Sequence, residues 1–437
     1  MSVFSGAYRA LLREPWLALN RVFTCRTLGR RLHPPVAPVA YEPEPGSLLY
    51  LAASVLPYHT SGYTTRTHEV VRALRDAGAQ VHARTRPGYP WDRKDRLSDA
   101  TGEETMVDDV LYRHAQAPAN NRPVLQYALQ AAPVIAAAAG QHRVAVIHAA
   151  SNHVNALPGL LAAKQLRVPF QYEMRGLWEL TRVSRQPGFA GSQAYKQGLQ
   201  LEALVARNAD RLFVISDQLG SYVREHWGIP AERMALLPNC IDPDKLLPVD
   251  PALVEPNTIG YAGSLIVYEG LDTLLEATAR LVQQGKAVQV RIAGEGEARR
   301  DLEALAHSLG LGQSVQFLGR MEPTKARMMI ARCAMVCIPR KPFQVCEIVS
   351  PIKLVEALAM GKPVIVPDLP VFRDELGPDP AGWLFRAGDA QDLARVIDGA
   401  FAEPDRLAEL GLRARDYAVS QRSWQRHVTP IVESLKG

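Results

Sequence analysis

The stretch Glu347–Val366, EIVSPIKLVEALAMGKPVIV, reads as a carboxylate-bearing loop, a short helix and a buried strand. Ser350 is a suitable N-cap, and Pro351 suits the first helical position, where a missing N–H costs nothing. Gly361 is the expected helix stop, and Pro363 keeps the helix from resuming. The first helical turn leaves the N–H groups of Ile352 and Lys353 without intrahelical acceptors. Such a helix end carries partial positive charge and favours anions. Lys353 adds a full charge in the same turn, and Glu347 and Glu356 flank the site. Phosphates need the cationic helix end, hydroxyl-rich groups suit the carboxylates, and a nucleotide-sugar offers both.

Outward from this segment the chain alternates short apolar strands with helices. In the second half, strands are predicted over 258–263, 289–294, 315–319, 334–339 and 363–367. Helices are predicted over 270–283, 296–309, 323–331, 350–360 and 389–402. The first half has strand candidates at 47–54, 81–84, 144–149, 170–174 and 211–216. Short, continuously apolar strands between helices predict parallel sheets covered on both faces. The fold class is therefore α/β, with two doubly wound Rossmann-like domains whose carboxyl strand ends face a cleft. The expected division is a basic segment and Pro-rich connector (1–46), a first domain (47–250), a second domain (251–415) and a C-terminal helix returning to the first (416–437). The polar, proline-rich run 246–257 is the expected linker.

Composition narrows the function. A chain of 437 residues supports two cores. A formal charge of +5 and the lack of a nucleic-acid motif argue against a nucleic-acid partner. Five cysteines without a CxxC pair argue against a disulfide framework or zinc site, and a reducing cytoplasm fits. Cys333 and Cys337 are expected to pack inside. No apolar run reaches the length of a membrane span, and the N-terminus lacks a secretory pattern. Neither a complete GxGxxG nor a GxxxxGK[ST] motif occurs. Residues 1–32 combine Leu, Trp and Phe with Arg9, Arg13, Arg21, Arg26, Arg30 and Arg31, opposed only by Glu14. Two readings stand: an interfacial segment on an anionic membrane, or helices docked on the protein with arginines facing water.

Four stretches in order, LPYHTSGYTTRT (56–67), YEMRGLWE (172–179), YAGSLIVYEGLD (261–272) and EIVSPIKLVEALAMG (347–361), resemble glycosyltransferase family 4, of the retaining GT-B type. The resemblance covers about residues 47–420 and extends to bacterial exopolysaccharide enzymes found beside exosortase systems. It implies transfer of a hexose from a nucleotide diphosphate sugar, used as co-substrate without cofactor or metal, to a glycan or polyprenyl-linked saccharide. It also implies a cytoplasmic protein, with peripheral contact at the inner face of the membrane if residues 1–32 bind lipid. A non-catalytic sugar-nucleotide-binding assembly subunit and a sugar-nucleotide epimerase are the alternatives.

The resemblance assigns roles position by position. Glu356 would hold the donor ribose and Glu347 the hydroxyls of the transferred sugar. Ile352, Lys353, Gly263 and Gly62 would meet the donor, with Gly294 and Arg320 in loops that contact the base. Two departures matter. Eight residues separate Glu347 from Glu356 where the family has seven. The family's Arg and Lys after the first strand of the second domain are missing, with Ser264 and Glu269 near those places. A helix end supplies about 0.3–1 kcal/mol, up to ~2 when partly buried, too little for a diphosphate. Arg175 and Lys353 are the candidate replacements. Arg175 either contacts the diphosphate or sugar, or forms a structural ion pair with Glu173 or Glu179. Glu173 is a candidate for contact with sugar or acceptor. His148 and His153 read as structural residues, and His59 sits where acceptor contact is plausible.

Overall fold

The structure, a computed structural model, describes residues 23–32, 41–93, 102–377 and 379–435. The chain divides into two compact units. The first holds the described residues up to Ile215, then Gly220–Leu237 and the chain from Val428 on; the second holds Ser216–Leu219 and Pro238–His427. The first unit thus gives way to the second after Leu237 rather than after 250, and the chain rejoins the first at Val428 rather than 416.

The first unit runs β1 (Glu44–Ala52), α1 (Gly62–Asp76), β2 (Gln80–Thr85), β3 (Glu104–Val107), β4 (Val110–Arg113), α2 (Val124–Gln141), β5 (Val144–Ala150), α3 (His153–Leu166), β6 (Phe170–Met174), α4 (Trp178–Arg185), α5 (Gln193–Asn208), β7 (Arg211–Val214), α6 (Asp217–Trp227) and β8 (Met234–Leu236). Its eight strands order β3-β4-β2-β1-β5-β6-β7-β8. All neighbours are parallel except β3 and β4. That hairpin was not expected. Its turn is Asp108-Asp109, and Asp108 takes φ 50°, a left-handed conformation that aspartate tolerates through local hydrogen bonding.

All five residues of β6 are buried, as are six of seven in β5, the signature of a sheet covered on both faces. Strand order reverses between β1 and β5, where loops on the two sides diverge. Asn155 closes that gap. Its fully buried Nδ2 donates to the carbonyls of Leu51 (2.9 Å) and Ala150 (2.7 Å), at the carboxyl ends of β1 and β5.

The second unit runs β9 (Glu255–Ala262), α7 (Leu271–Gln283), β10 (Gln289–Ala293), α8 (Arg299–Ser308), β11 (Val315–Gly319), α9 (Pro323–Arg332), β12 (Cys333–Cys337), α10 (Gln344–Ile348), α11 (Ile352–Ala359), β13 (Val364–Pro367), α12 (Pro370–Leu376), β14 (Gly382–Phe385), α13 (Ala390–Phe401), α14 (Pro404–Gln421) and α15 (Trp424–Glu433), which ends in the first unit. Six parallel strands order β11-β10-β9-β12-β13-β14, with the reversal between β9 and β12. One face of the sheet carries a core of Ile259, Tyr261, Leu274, Ile292, Met335, Cys337 and Leu393, so Cys337 is inside as expected, and Cys333 is buried as well.

The deciding segment departs from expectation at its start. The helix begins at Ile352, with Pro351 in the cap position and no side-chain cap. Ser350 is buried and its carbonyl accepts from Asn239 Nδ2 at 2.9 Å. The stop is as read: Gly361 takes φ 66°, and Lys362 N–H reaches back to Ala357 O at 3.0 Å. Glu347 sits on α10 rather than in a loop.

Residues 1–22, most of the segment read as membrane-facing, lie outside the described residues. In 23–32, Thr24, Leu28 and Leu32 are buried at four-residue spacing while Arg26, Arg30 and Arg31 are exposed, the pattern of a docked helix.

Replacing Asn155 by Leu keeps the volume and removes the buried donor that two carbonyls share. The expected loss is about 2–4 kcal/mol of stability, read as a lower urea midpoint; an unchanged midpoint would refute the staple.

Candidate functional site

In each unit a buried carboxylate at the carboxyl edge of the sheet holds two basic side chains. In the first unit the carboxylate is Glu173, late in β6. Its Oε1 accepts from Arg66 Nε and Arg175 Nε, both at 2.9 Å. Its Oε2 accepts from Tyr50 Oη (2.7 Å) and Arg175 Nη2 (2.8 Å), with His148 Nε2 at 3.5 Å. Burial by itself would raise the Glu173 carboxyl, but Arg175 and Arg66 outweigh it and hold the group well below the usual range.

Arg175 spends every N–H it has. Besides its two bonds to Glu173, Nη1 donates to Tyr63 O (3.1 Å) and Thr67 Oγ1 (2.7 Å), and Nη2 also donates to Tyr50 Oη (2.6 Å). Its guanidinium lies over the Tyr63 ring, 4.5 Å from the centroid. This conformation leaves nothing with which to grip a diphosphate, so the ion-pair reading of Arg175 is the one the geometry favours. Glu173 is equally committed, and its low pKa makes it a poor proton acceptor. His148 stacks on Tyr50 at 5.1 Å and bonds Gln171, as the structural reading expected. His153 Nδ1 lies 2.9 Å from Glu202 Oε1. Gly62 opens α1 with helical backbone just after the cap Ser61, so the position does not draw on glycine's conformational freedom.

In the second unit the carboxylate is Glu269, on the turn after β9. Its Oε2 accepts from Lys353 Nζ at 2.6 Å and its Oε1 from Arg340 Nη2 at 3.0 Å. Burial pushes the carboxyl up, Arg340 and Lys353 pull it down further, and it settles at about 2. Lys353 also donates to Tyr261 Oη at 3.0 Å, and burial lowers its pKa against the pull of Glu269. Arg340 donates to Val349 O at 2.9 Å, while its buried Nε has no hydrogen-bond partner. Two cations on one carboxylate leave a net charge of about +1 inside the protein.

Three loop glycines build the surface beside this cluster. A Cβ on Gly263 would come within 2.9 Å of Lys353 Cε, so the lysine lies directly over that backbone. Gly294 has φ 144°, and a Cβ there would overlap the Gly263 carbonyl at 1.8 Å. Gly270 has φ 72°, and its Cβ would overlap Pro339 O at 2.0 Å, which brings the loops after β9 and β12 together. The amino end of α11 follows Pro351, and the first N–H paired back to the cap is that of Leu354. Glu356 is half-buried in the second turn of α11, Glu347 is half-buried on α10, and Arg320 is exposed beyond β11. Within the second unit, Gly263, Gly294, Arg320, Ile352 and Lys353 thus share the carboxyl edge. Among the described residues no group of three or more His, Cys, Asp or Glu side chains could hold a metal ion.

Sequence reasoning missed Arg340, Glu269 as a counter-charge, Arg66 and Tyr50. Arg340 was within reach of the logic applied to Arg175, since it directly follows the strand run AMVCIP.

The family comparison matches residues 61–240 to the glycosyl transferase 4-like domain and 247–417 to glycosyl transferases group 1. Each unit thus resembles a glycosyltransferase domain family over most of its length. The D-inositol 3-phosphate glycosyltransferase of Nocardia farcinica is 25% identical over 294 residues, 63% of each chain. The amylovoran biosynthesis glycosyltransferase AmsK of Erwinia amylovora is 27% identical over 172 residues, 39% of this chain and 42% of that one. The chain spans less than two-thirds of the length of these curated relatives. Anabaena Alr3699/HepE, solved in complex with UDP-glucose, superposes with a TM-score of 0.65 over 89% of this chain and 99% of that one, at 20% identity, a likeness of fold. Two doubly wound Rossmann-like units are the GT-B architecture of these glycosyltransferases.

One buried carboxyl of the first unit sets a pH dependence. Glu179 lies against Gly198, its Oε2 has no hydrogen-bond partner, and burial together with the nearby Glu202 pushes it up to about 7. A raised carboxyl pKa means that the folded state keeps a proton the unfolded state has lost. Stability from this group is therefore full below about pH 4.5 and lost as pH rises to about 7, by roughly 3 kcal/mol. Glu179→Gln should remove that slope from the urea midpoint between about pH 5 and pH 7; a variant with the wild-type slope would contradict the assignment.

Proposed function

We propose that this chain is a retaining glycosyltransferase that moves a hexose from a nucleotide diphosphate sugar to a glycan or lipid-linked saccharide in polysaccharide biosynthesis. The observation that carries the reading is the buried Arg340–Glu269–Lys353 cluster, with its excess positive charge, beside the Gly263–Gly294 backbone and the amino end of α11. An open doubly wound sheet binds ligands outside its carboxyl strand ends at the reversal of strand order. Here that point lies between β9 and β12. The relative solved with UDP-glucose and the amylovoran biosynthesis relative support donor and pathway class respectively.

In this reading the N–H groups of Ile352 and Lys353 and the Lys353 ammonium hold the diphosphate. Glu356 accepts from both ribose hydroxyls, Glu347 accepts from hydroxyls of the sugar, and Gly294 and Arg320 flank the base. The bond between the anomeric carbon and the β-phosphate oxygen breaks as the acceptor oxygen bonds the same face of that carbon. The acceptor proton passes to the departing diphosphate oxygen, so no side-chain nucleophile or cofactor is required. The protein lowers the barrier by holding donor and acceptor in register and by stabilising charge on the leaving diphosphate. Glu173, Arg66 and Arg175 then serve as the rigid frame of the acceptor-side unit.

Transfer of radiolabel from a panel of nucleotide-sugars to extracted lipid acceptors tests the activity. Labelled lipid with retained anomeric configuration is expected; donor binding with neither transfer nor hydrolysis would instead indicate an assembly subunit, and donor isomerisation without acceptor an epimerase. Glu356→Ala should weaken donor binding by about 10- to 100-fold in calorimetry, the loss of charge-assisted hydrogen bonds. Undiminished affinity would remove Glu356 from the ribose site.

A further inference from the structure

We propose that Arg340, reaching in from the end of β12, is the diphosphate-binding cation that takes over from the Arg and Lys missing after β9, and that Glu269 stands in for the diphosphate while the site is empty. The inference rests on the donor-site reading of the second unit and assigns to it a residue outside the motif positions.

Four observations carry it. Arg340 and Lys353 occupy the two oxygens of one carboxylate, so the guanidinium is a neighbour of the ammonium that covers Gly263. The Arg340 side chain is 9% exposed, yet its Nε has no hydrogen-bond partner. A buried unpaired donor costs about 1–3 kcal/mol, a cost that an incoming phosphate oxygen would remove. The backbone around Arg340 is pinned: Lys341 N–H donates to Tyr268 O at 3.0 Å, and Gly270 backs onto Pro339 O. The guanidinium is therefore presented from a fixed stem, as tight oxyanion recognition requires. Finally, Glu269 supplies one negative charge against two positive ones. An arriving diphosphate more than offsets that surplus and draws the two cations away from Glu269. Glu269 meanwhile keeps the pair from binding the released nucleoside diphosphate too tightly, since it offers the cations another partner at once.

The test separates diphosphate contact from nucleoside contact. UDP, ADP, GDP and dTDP are titrated calorimetrically into the full chain, each beside its monophosphate. For the diphosphate that wild type binds best, Arg340→Gln is expected to lose about 10- to 100-fold in affinity, with the monophosphate affinity held within about twofold. Glu269→Gln is expected to tighten the diphosphate and leave the monophosphate unmoved. Intact monophosphate binding reports that each variant is folded. If Arg340→Gln does not fold, Arg340→Lys, which keeps the charge and loses the forked geometry, is expected to show a smaller loss confined to the diphosphate. Equal losses for diphosphate and monophosphate, or none for either, would overturn the role of Arg340 and leave the donor-site reading standing. A wild-type chain that binds none of the four diphosphates would overturn both.

Discussion

The pairing of one buried carboxylate with two basic side chains is the constraint on which both units turn. Taking a carboxylate out of water costs several kcal/mol even after relaxation. Glu269 and Glu173 both bear that cost at the carboxyl edge of a parallel sheet, where strand ends and loop turns converge. Each carboxylate is held ionised by two cations. The surrounding backbone is shaped to this arrangement. Gly263 leaves room for the Lys353 stem, Gly294 for the Gly263 carbonyl, and Gly270 for the Pro339 carbonyl, each a place where a Cβ would collide.

The two clusters share a formula and differ in what they leave open. In the first unit all five Arg175 donors and both Glu173 oxygens are engaged, and the unpartnered nitrogen is that of neighbouring His148, whose Nε2 lies 3.5 Å from Glu173 Oε2. In the second unit the Arg340 Nε is unpartnered, and two partners account for only two of the three donors of Lys353. A fully satisfied side-chain network rigidifies the groups it holds. Arg340 and Lys353 thus hold donors in reserve where Arg175 holds none.

Much of the fold is legible in the sequence because the strands that matter are buried on both faces and therefore continuously apolar. FQYEM and VQFLG have the limits the pattern predicts, and most of the others agree within a few residues. The strands that escaped are short pieces at or next to a sheet edge. β3 and β4 hold four residues each, alternate in burial and form a hairpin through an Asp-Asp turn that lacks the usual glycine. β14, also four residues, is covered only at Phe385. The candidate site is legible where chemistry follows local order: the amino end of α11, Lys353 in its first turn, and Gly263 and Gly294 at successive strand ends. Ser350 misled because a residue of the right type for a cap is used elsewhere, with Pro351 taking the cap position.

From sequence alone came the alternation of strand and helix, the reversal-rich α/β class and the cationic helix end between two glutamates, since each depends on neighbours a few residues apart. Charge partnership was decided only in three dimensions. Arg340 lies 71 residues from Glu269 along the chain, and Lys353 lies 84 away. No periodicity couples such distances, and only the parallel pairing of β9 with β12 brings their carboxyl ends side by side. The same pairing logic shut Arg175 into a closed ion-pair network. An arginine after a strand is a ligand group or a structural one according to whether neighbouring strands bring it enough acceptors, and that is settled by the sheet rather than by the residue.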